Sequence, residues 1–192
     1  MRGALAEVAP GLGYFSVLRS ASELAIARAF SRFPQYHHAF TSCNAVFRLD
    51  PELALQSWCR DCPKCRFVYL ALAPFSAPEH LASVFGADLL ADPAQAEGFA
   101  LLTATGGHKP FECVGEEEES IAALRLLAAD PRWSDHAVVK QLVAEVLDPS
   151  DAARGDGVGG PRLGDPAAVL TLSTDHEIPE SLRAAVDAVL GA

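Results

Sequence analysis

The sequence predicts a mainly α-helical protein with a few short strands. Three observations carry that expectation. Apolar residues recur at helical spacing in most segments, several segments open on a capping residue or a proline, and strand-like alternation is confined to two short stretches. Half of the 192 residues are hydrophobic, enough for a real core, and 21% are charged.

The elements follow in order. Tyr14–Leu18 reads as a short strand. Ser20-Ala-Ser-Glu23 reads as a capping box ahead of Leu24, Ala27 and Phe30, an apolar stripe with Arg28 and Arg32 on another, solvated face. Pro34 ends that helix, and Gln35 to Phe47 is loop, with His37 and His38 as surface residues. Pro63 suits the first position of a buried helix reaching about Ala73. Pro78–Phe85 is a short helix stopped by Gly86, and Asp92 to about Ala104 is helical despite Gly98. Gly106–Gly115 is a loop. Glu116–Ala129 is a helix with four acids in its first turn, where the dipole favours them, and Ser134–Leu147 is another. Ala168–Leu172 reads as a strand and Pro179–Leu190 as the last helix, with His176 before it an ordinary loop residue. Residues 1–150 thus form a helical region with the cysteine site, 151–166 a Gly/Pro-rich linker, and 167–192 a strand-helix extension.

Charge and hydropathy narrow the function classes. The net charge is -10, which argues against nucleic acid or an anionic membrane as the main partner. The apolar run Phe67–Phe75 is too short to span a bilayer, and the N-terminus does not read as a secretory signal, so a cytoplasmic location is expected. Thiols stay reduced there.

Four of the five cysteines then read as a metal site: Cys43, with 15 residues to Cys59, two more to Cys62 and two more to Cys65. Two intervening residues let one tight turn aim successive thiolates at a single ion, and a closed sulfur site suits structural zinc. Arg60, Lys64 and Arg66 flank it and offset its charge. An iron–sulfur run needs a further cysteine four residues after the third, where Tyr69 stands. Buried free thiols are the bland alternative. Chemistry is denser in the loop of His108, Lys109, Glu112 and Cys113, where every common type of proton-abstracting side chain is present. The plain alternative is a structural loop anchored by Pro110 and Phe111. Arg19 and Glu23 are candidates for substrate binding, since arginine grips carboxylates and phosphates.

Four stretches taken together carry a resemblance: Tyr14-Phe-Ser-Val-Leu-Arg-Ser-Ala-Ser-Glu23, Ser42-Cys-Asn-Ala-Val-Phe47, Trp58-Cys-Arg-Asp-Cys-Pro-Lys-Cys-Arg-Phe67 and Gly107-His-Lys-Pro-Phe-Glu-Cys-Val-Gly115. They resemble the UDP-N-acetyl-muramoyl-L-alanyl-L-glutamate epimerase family of bacterial cell-wall synthesis, from about Tyr14 to about Leu127 and more loosely beyond. The resemblance implies the helical, zinc-stapled C-terminal region of an α/β ATP-pyrophosphatase-like enzyme. It also implies an isomerase reaction. ATP with magnesium adenylates the terminal α-carboxylate of UDP-MurNAc-L-Ala-L-Glu, a base removes the acidified α-proton, reprotonation occurs on the other face, and hydrolysis yields D-Glu. In that reading His108, Lys109 and Cys113 are catalytic, and Arg19 and Glu23 bind substrate. The family's Ser-Gly-Gly-x-Asp-Ser ATP loop is not found, and Gly155–Gly160 lacks a phosphate-binding partner residue. The expectation is therefore a fragment, or one half of a split enzyme whose other half binds ATP. A deazaguanine-forming ligase of the same wider group, which shares the cysteine block, and a non-catalytic zinc-stapled docking module are the alternatives.

Overall fold

The computed structural model describes residues 3, 7–9, 11–52, 54–104, 108–110, 114–154 and 162–191. Among them the chain is helical and contains no strand. The main helices are α1 (Glu23–Ser31), α2 (Pro63–Leu72), α3 (Pro78–Phe85), α4 (Ala96–Ala100), α5 (Glu117–Ala129), α6 (Ala137–Leu142), α7 (Asp148–Arg154), α8 (Pro166–Val169) and α9 (Glu180–Leu190), with 3-10 turns between several of them.

Helix α2 is the axis of the core. Phe67, Tyr69, Leu70, Ala71 and Leu72 are all buried, as an apolar sequence on nearly every face requires. It packs on α1, α4 and α5. Tyr69, Phe99, Leu124 and Trp133 are among the large side chains wholly removed from water. Their polar atoms have partners: the Trp133 indole N–H donates to the Ser76 carbonyl at 3.2 Å, and the Tyr69 hydroxyl donates to Asp88 Oδ1 at 3.0 Å. The other Asp88 oxygen meets His136 Nε2 at 3.0 Å, so one carboxylate joins α2 to the segment before α6.

Both expected strands are corrected. Tyr14–Leu18 is turn and irregular backbone with Tyr14, Val17 and Leu18 exposed, because no neighbouring strand offers it a ladder. At Ala168–Leu172 the chain instead ends α8 at Val169 and continues as turn and irregular backbone, the helix being started by Asp165, which accepts from the Ala167 N–H at 3.1 Å, and by Pro166 in its first turn. The other helices fall close to their expected places. Gly86 ends α3 at φ +79°, in the left-handed region that glycine enters freely. The Asp92–Ala104 helix is split into 3-10, α and 3-10 pieces. At its Gly98 a Cβ would meet the Arg66 guanidinium, so a side chain there would displace that arginine. The Ser134–Leu147 helix runs on to Arg154 through a π turn at Val143–Leu147. Pro149 has no N–H and its ring cannot sit under a regular α turn, so the wider turn just before it accommodates the proline. Helix α7 crosses residue 150, and the glycines Gly155–Gly160 lie outside the described residues.

Three side chains hold the sequence-distant ends together. Arg28 donates to the Leu190 carbonyl at 2.9 Å, and Arg32 donates to that of Val189. These arginines, read from sequence as a solvated face, cap the C-terminus of α9, where the dipole favours cations. Arg125 grips Asp151 with two bonds of 2.9 and 2.6 Å and so fastens α7 to α5.

His37 is also reassigned from surface to interior, at 1% exposure. Its Nε2 faces the Phe30 carbonyl at 3.1 Å, an acceptor only, so that nitrogen carries the hydrogen. Its Nδ1 therefore accepts from His80 Nε2, 2.8 Å away. Burial first, then the neighbouring His37 and His38, hold His80 below the ordinary histidine range. The unfolded chain thus binds this proton first, and falling pH favours unfolding. With metal saturating, urea midpoints should drop as pH falls from about 7.5 through about 6.5, the ordinary histidine value. His80→Gln should lose part of that slope. Equal slopes in the two proteins would show that the pair is not coupled to folding.

Candidate functional site

Two sites emerge, one at the start of α2 and one beside it. At the first, Cys59, Cys62 and Cys65 ride a tight turn into the helix, and Cys43 reaches in from the preceding loop. The four sulfurs lie within 4.8 Å of one another. Adjacent separations are 3.4 Å (Cys62–Cys65), 3.6 Å (Cys59–Cys65) and 4.0 Å (Cys43–Cys62). A tetrahedral metal with sulfur at about 2.3 Å places its ligands about 3.8 Å apart, so the cluster fits one ion. The knuckle is shaped for it. Arg60 takes φ +66°, turning the chain so that the N–H groups of Asp61 and Cys62 donate to the Cys59 sulfur at 3.5 and 3.3 Å. The Cys59 N–H donates to the Cys43 sulfur, and that of Cys65 to the Cys62 sulfur, both at 3.4 Å. Burial pushes the Cys62 and Cys65 thiols up. At Cys59 burial is outweighed by those two backbone donors, which bring the thiol down to about 7.

The flanking cations do less for the sulfurs than expected. Arg66 is taken by Asp61 at 2.6 Å and by Gln95 at 2.9 Å, while Arg60 donates to the Gly86 carbonyl at 3.4 Å.

The second site is a cleft of about 470 Å³ between the N-termini of α1 and α5, lined by Arg19, Ser22, Glu23, Lys109, Gly115, Glu116 and Glu119. It brings together Arg19 and Glu23, expected to bind substrate, with Lys109 from the reactive loop. Lys109 donates to the Gly115 carbonyl and lies 3.6 Å from the Glu116 carboxylate. Its neighbour His108 is exposed and does not line this cleft, and Cys113 lies outside the described residues.

Glu119 is the residue that sequence reasoning missed. It was read as one of four acids in a helix start. Its carboxylate is in fact buried, and it accepts the Glu23 N–H through Oε1 and the Glu116 N–H through Oε2, each at 2.6 Å. One charge thus caps two helices, where both dipoles favour it. The expected Ser20 box does not form. Ser22 caps α1 by accepting from the Ala25 N–H at 3.0 Å, and the Ser20 hydroxyl is buried without a partner among the described residues. The signal was present in Glu119 standing three residues after Glu116, the capping-box spacing, but its long-range bond to Glu23 has no local trace. Burial, then the charge of Glu119, raise the Glu23 carboxyl above its usual range, against the opposing pull of Lys109. The cleft therefore gathers two cations, Arg19 and Lys109, with the carboxyl groups of Glu23, Glu116 and Glu119.

A helical domain with a four-cysteine cluster that could hold a metal ion, beside a cleft of mixed charge, is the class these features define. Residues 39–156 match the family model described as the MurL C-terminal domain. The chain belongs to that family. Three curated proteins named UDP-N-acetyl-alpha-D-muramoyl-L-alanyl-L-glutamate epimerase are similar to it. The Micromonospora protein is 53% identical over 84% of this chain and 37% of its own length. The Salinispora tropica protein is 57% identical over 76% and 32%, and the Xanthomonas oryzae protein 46% identical over 75% and 33%. The chain spans about a third of the length of these relatives. No solved structure matches it.

Glu119→Ala orphans two backbone donors where α1 meets α5. It should cost about 2–4 kcal/mol in urea unfolding, within the range for unsatisfied buried groups bonded to a charge. A loss below about 0.5 kcal/mol would mean that the shared cap contributes nothing.

Proposed function

We propose that this chain is the C-terminal portion of an ATP-dependent epimerase that converts the terminal L-Glu of UDP-MurNAc-L-Ala-L-Glu to D-Glu in the cytoplasm. The observation that carries the reading is the gathering of Arg19, Glu23 and Lys109 in one cleft of a protein belonging to the MurL C-terminal domain family. The names of three relatives supply the substrate. Arg19 and Lys109 hold the carboxylates of the terminal glutamate. ATP with magnesium, bound by a separate portion of an α/β enzyme, supplies activation of the α-carboxylate. The thiol of Cys113 and the imidazole of His108 are proposed as the proton-moving groups on chemical grounds, although His108 stands outside the cleft lining that holds Lys109. Zinc occupies the four-cysteine cluster as a fold staple, because four thiolates close every tetrahedral position and leave none for chemistry. Among the described residues no helix is long and apolar enough to cross a bilayer.

Purified chain should carry about one zinc per molecule, and Cys62→Ser should lose both metal and helical signal, since binding energy at such a site is folding energy. A fully folded, metal-free wild type would overturn the zinc assignment. The activity is tested by expressing the chain together with the part of the Micromonospora relative outside the match, then supplying the L-Glu precursor, ATP and magnesium. D-Glu should appear on chiral analysis. Lys109→Ala should lower the rate at least about tenfold, the cost of one charge-assisted contact. No D-Glu from a folded, zinc-loaded pair would sink the reading. Unchanged turnover in the Lys109 variant would remove that residue from the site.

A further inference from the structure

Helix α9 carries an apolar stripe that it does not bury. Leu182, Ala185, Val186, Val189 and Leu190 fall at the spacing of one helical face. Such a stripe ordinarily faces a core, yet of the 11 residues of α9 Leu190 alone is buried. The helix is held at its end and not along its face, by Arg28 and Arg32, which donate to its last carbonyls. The segment leading into α1 is fixed beside it. The Ser20 carbonyl accepts the Ser173 N–H at 2.7 Å, and the Ser22 hydroxyl donates to the Val169 carbonyl at 2.8 Å.

Between helix and segment lies a groove of about 270 Å³, which Val17 and Leu18 complete and which only apolar residues line. Val17, Leu18, Leu182 and Val189 are 39–45% exposed, so they form one apolar patch and not scattered surface residues. A patch of this kind marks a surface that another body covers.

Its position says which body. Leu18 is followed directly by Arg19, a wall of the charged cleft, so the patch continues the rim of that cleft. A body that brings ATP to a carboxylate held at Arg19 must lie against this part of the domain. The relatives contain such a body. The chain spans 37% of the Micromonospora protein, and the larger part lies outside the match. The family description makes the matched residues 39–156 a C-terminal domain, so in its members the larger part comes ahead of them, and Val17 and Leu18 stand on that side of the match.

We propose that Val17, Leu18 and the apolar stripe of α9 are the surface on which the ATP-binding portion of the epimerase docks, through an apolar patch of its own. This rests on the reading of the chain as one portion of that enzyme. Docking here covers the stripe that α9 leaves in water and seats the second portion at the Arg19 end of the cleft.

The test uses the metal-loaded chain, tagged and expressed together with the part of the Micromonospora relative outside the match. The copurified pair is diluted, and D-Glu formed per chain is followed against concentration. Leu182→Asp places a charge in the patch, but in the first turn of α9, where the helix dipole tolerates it. The concentration at half-maximal activity should rise at least about thirtyfold, the effect of losing a central contact, while the plateau rate at high concentration stays at the wild-type level. Lys109→Ala should lower the plateau instead. Zinc content and circular dichroism report folding, and Ala185→Asp, at an exposed position of the same stripe, serves if Leu182→Asp does not fold. An active pair whose midpoint neither variant moves would overturn the docking surface and leave the epimerase reading standing. A folded wild-type pair that neither copurifies nor forms D-Glu would overturn both. A chain that sediments alone as a dimer, dissociated by Leu182→Asp, would assign the patch to a second copy and overturn the proposal.

Discussion

The closure of four sulfurs is the constraint on which the rest of this fold depends. Between α1 and α2 the chain has only one short 3-10 turn among its described residues, too little regular structure to hold itself in place. The cluster joins Cys43 in that stretch to the first turn of α2. The aromatic run Phe30, Phe40, Trp58 and Phe85 then packs between the anchored loop and the core. Because α2 contacts α1, α4 and α5, fixing its start also fixes the elements that carry the cleft.

The cleft itself depends on a second economy of contacts. The N-terminus of α1 borrows an acceptor from its neighbour, and a single carboxylate from α5 serves both helix ends. Burial first, and then the same carboxylate, raise Glu23, so the group that builds the walls also contributes to the character of the side chain between them. Gly115 completes the junction by letting the loop touch Phe67. Metal knuckle, central helix and cleft are consecutive links of one path.

Much of this was legible in the sequence, and the pattern of what was not is physical. Local signals read well. Pro63 at a helix start, Gly86 at a helix end, the acidic first turn before α5 and the cysteine spacing each act within a few residues. Interactions between distant residues left no such mark. Nothing near Arg28 or Arg32 announces the carbonyls of α9, nothing near His37 announces His80, and nothing near Glu119 announces Glu23. The two expected strands failed for a related reason: a strand requires a partner, and hydropathy along one segment does not say whether a partner exists. The pairing of Lys109 with Arg19 and Glu23 in one cleft was likewise a matter of tertiary placement.

The shared Glu119 cap also has a dynamic consequence. Two helix ends that share one carboxylate are linked through it. Any excursion that withdraws it exposes the amides of Glu23 and Glu116 together, so hydrogen exchange at both is governed by one opening equilibrium. Helix ends ordinarily breathe one at a time on the least protected rung of a protein's stability ladder. Here the departure of one side chain uncovers both walls of the cleft at once.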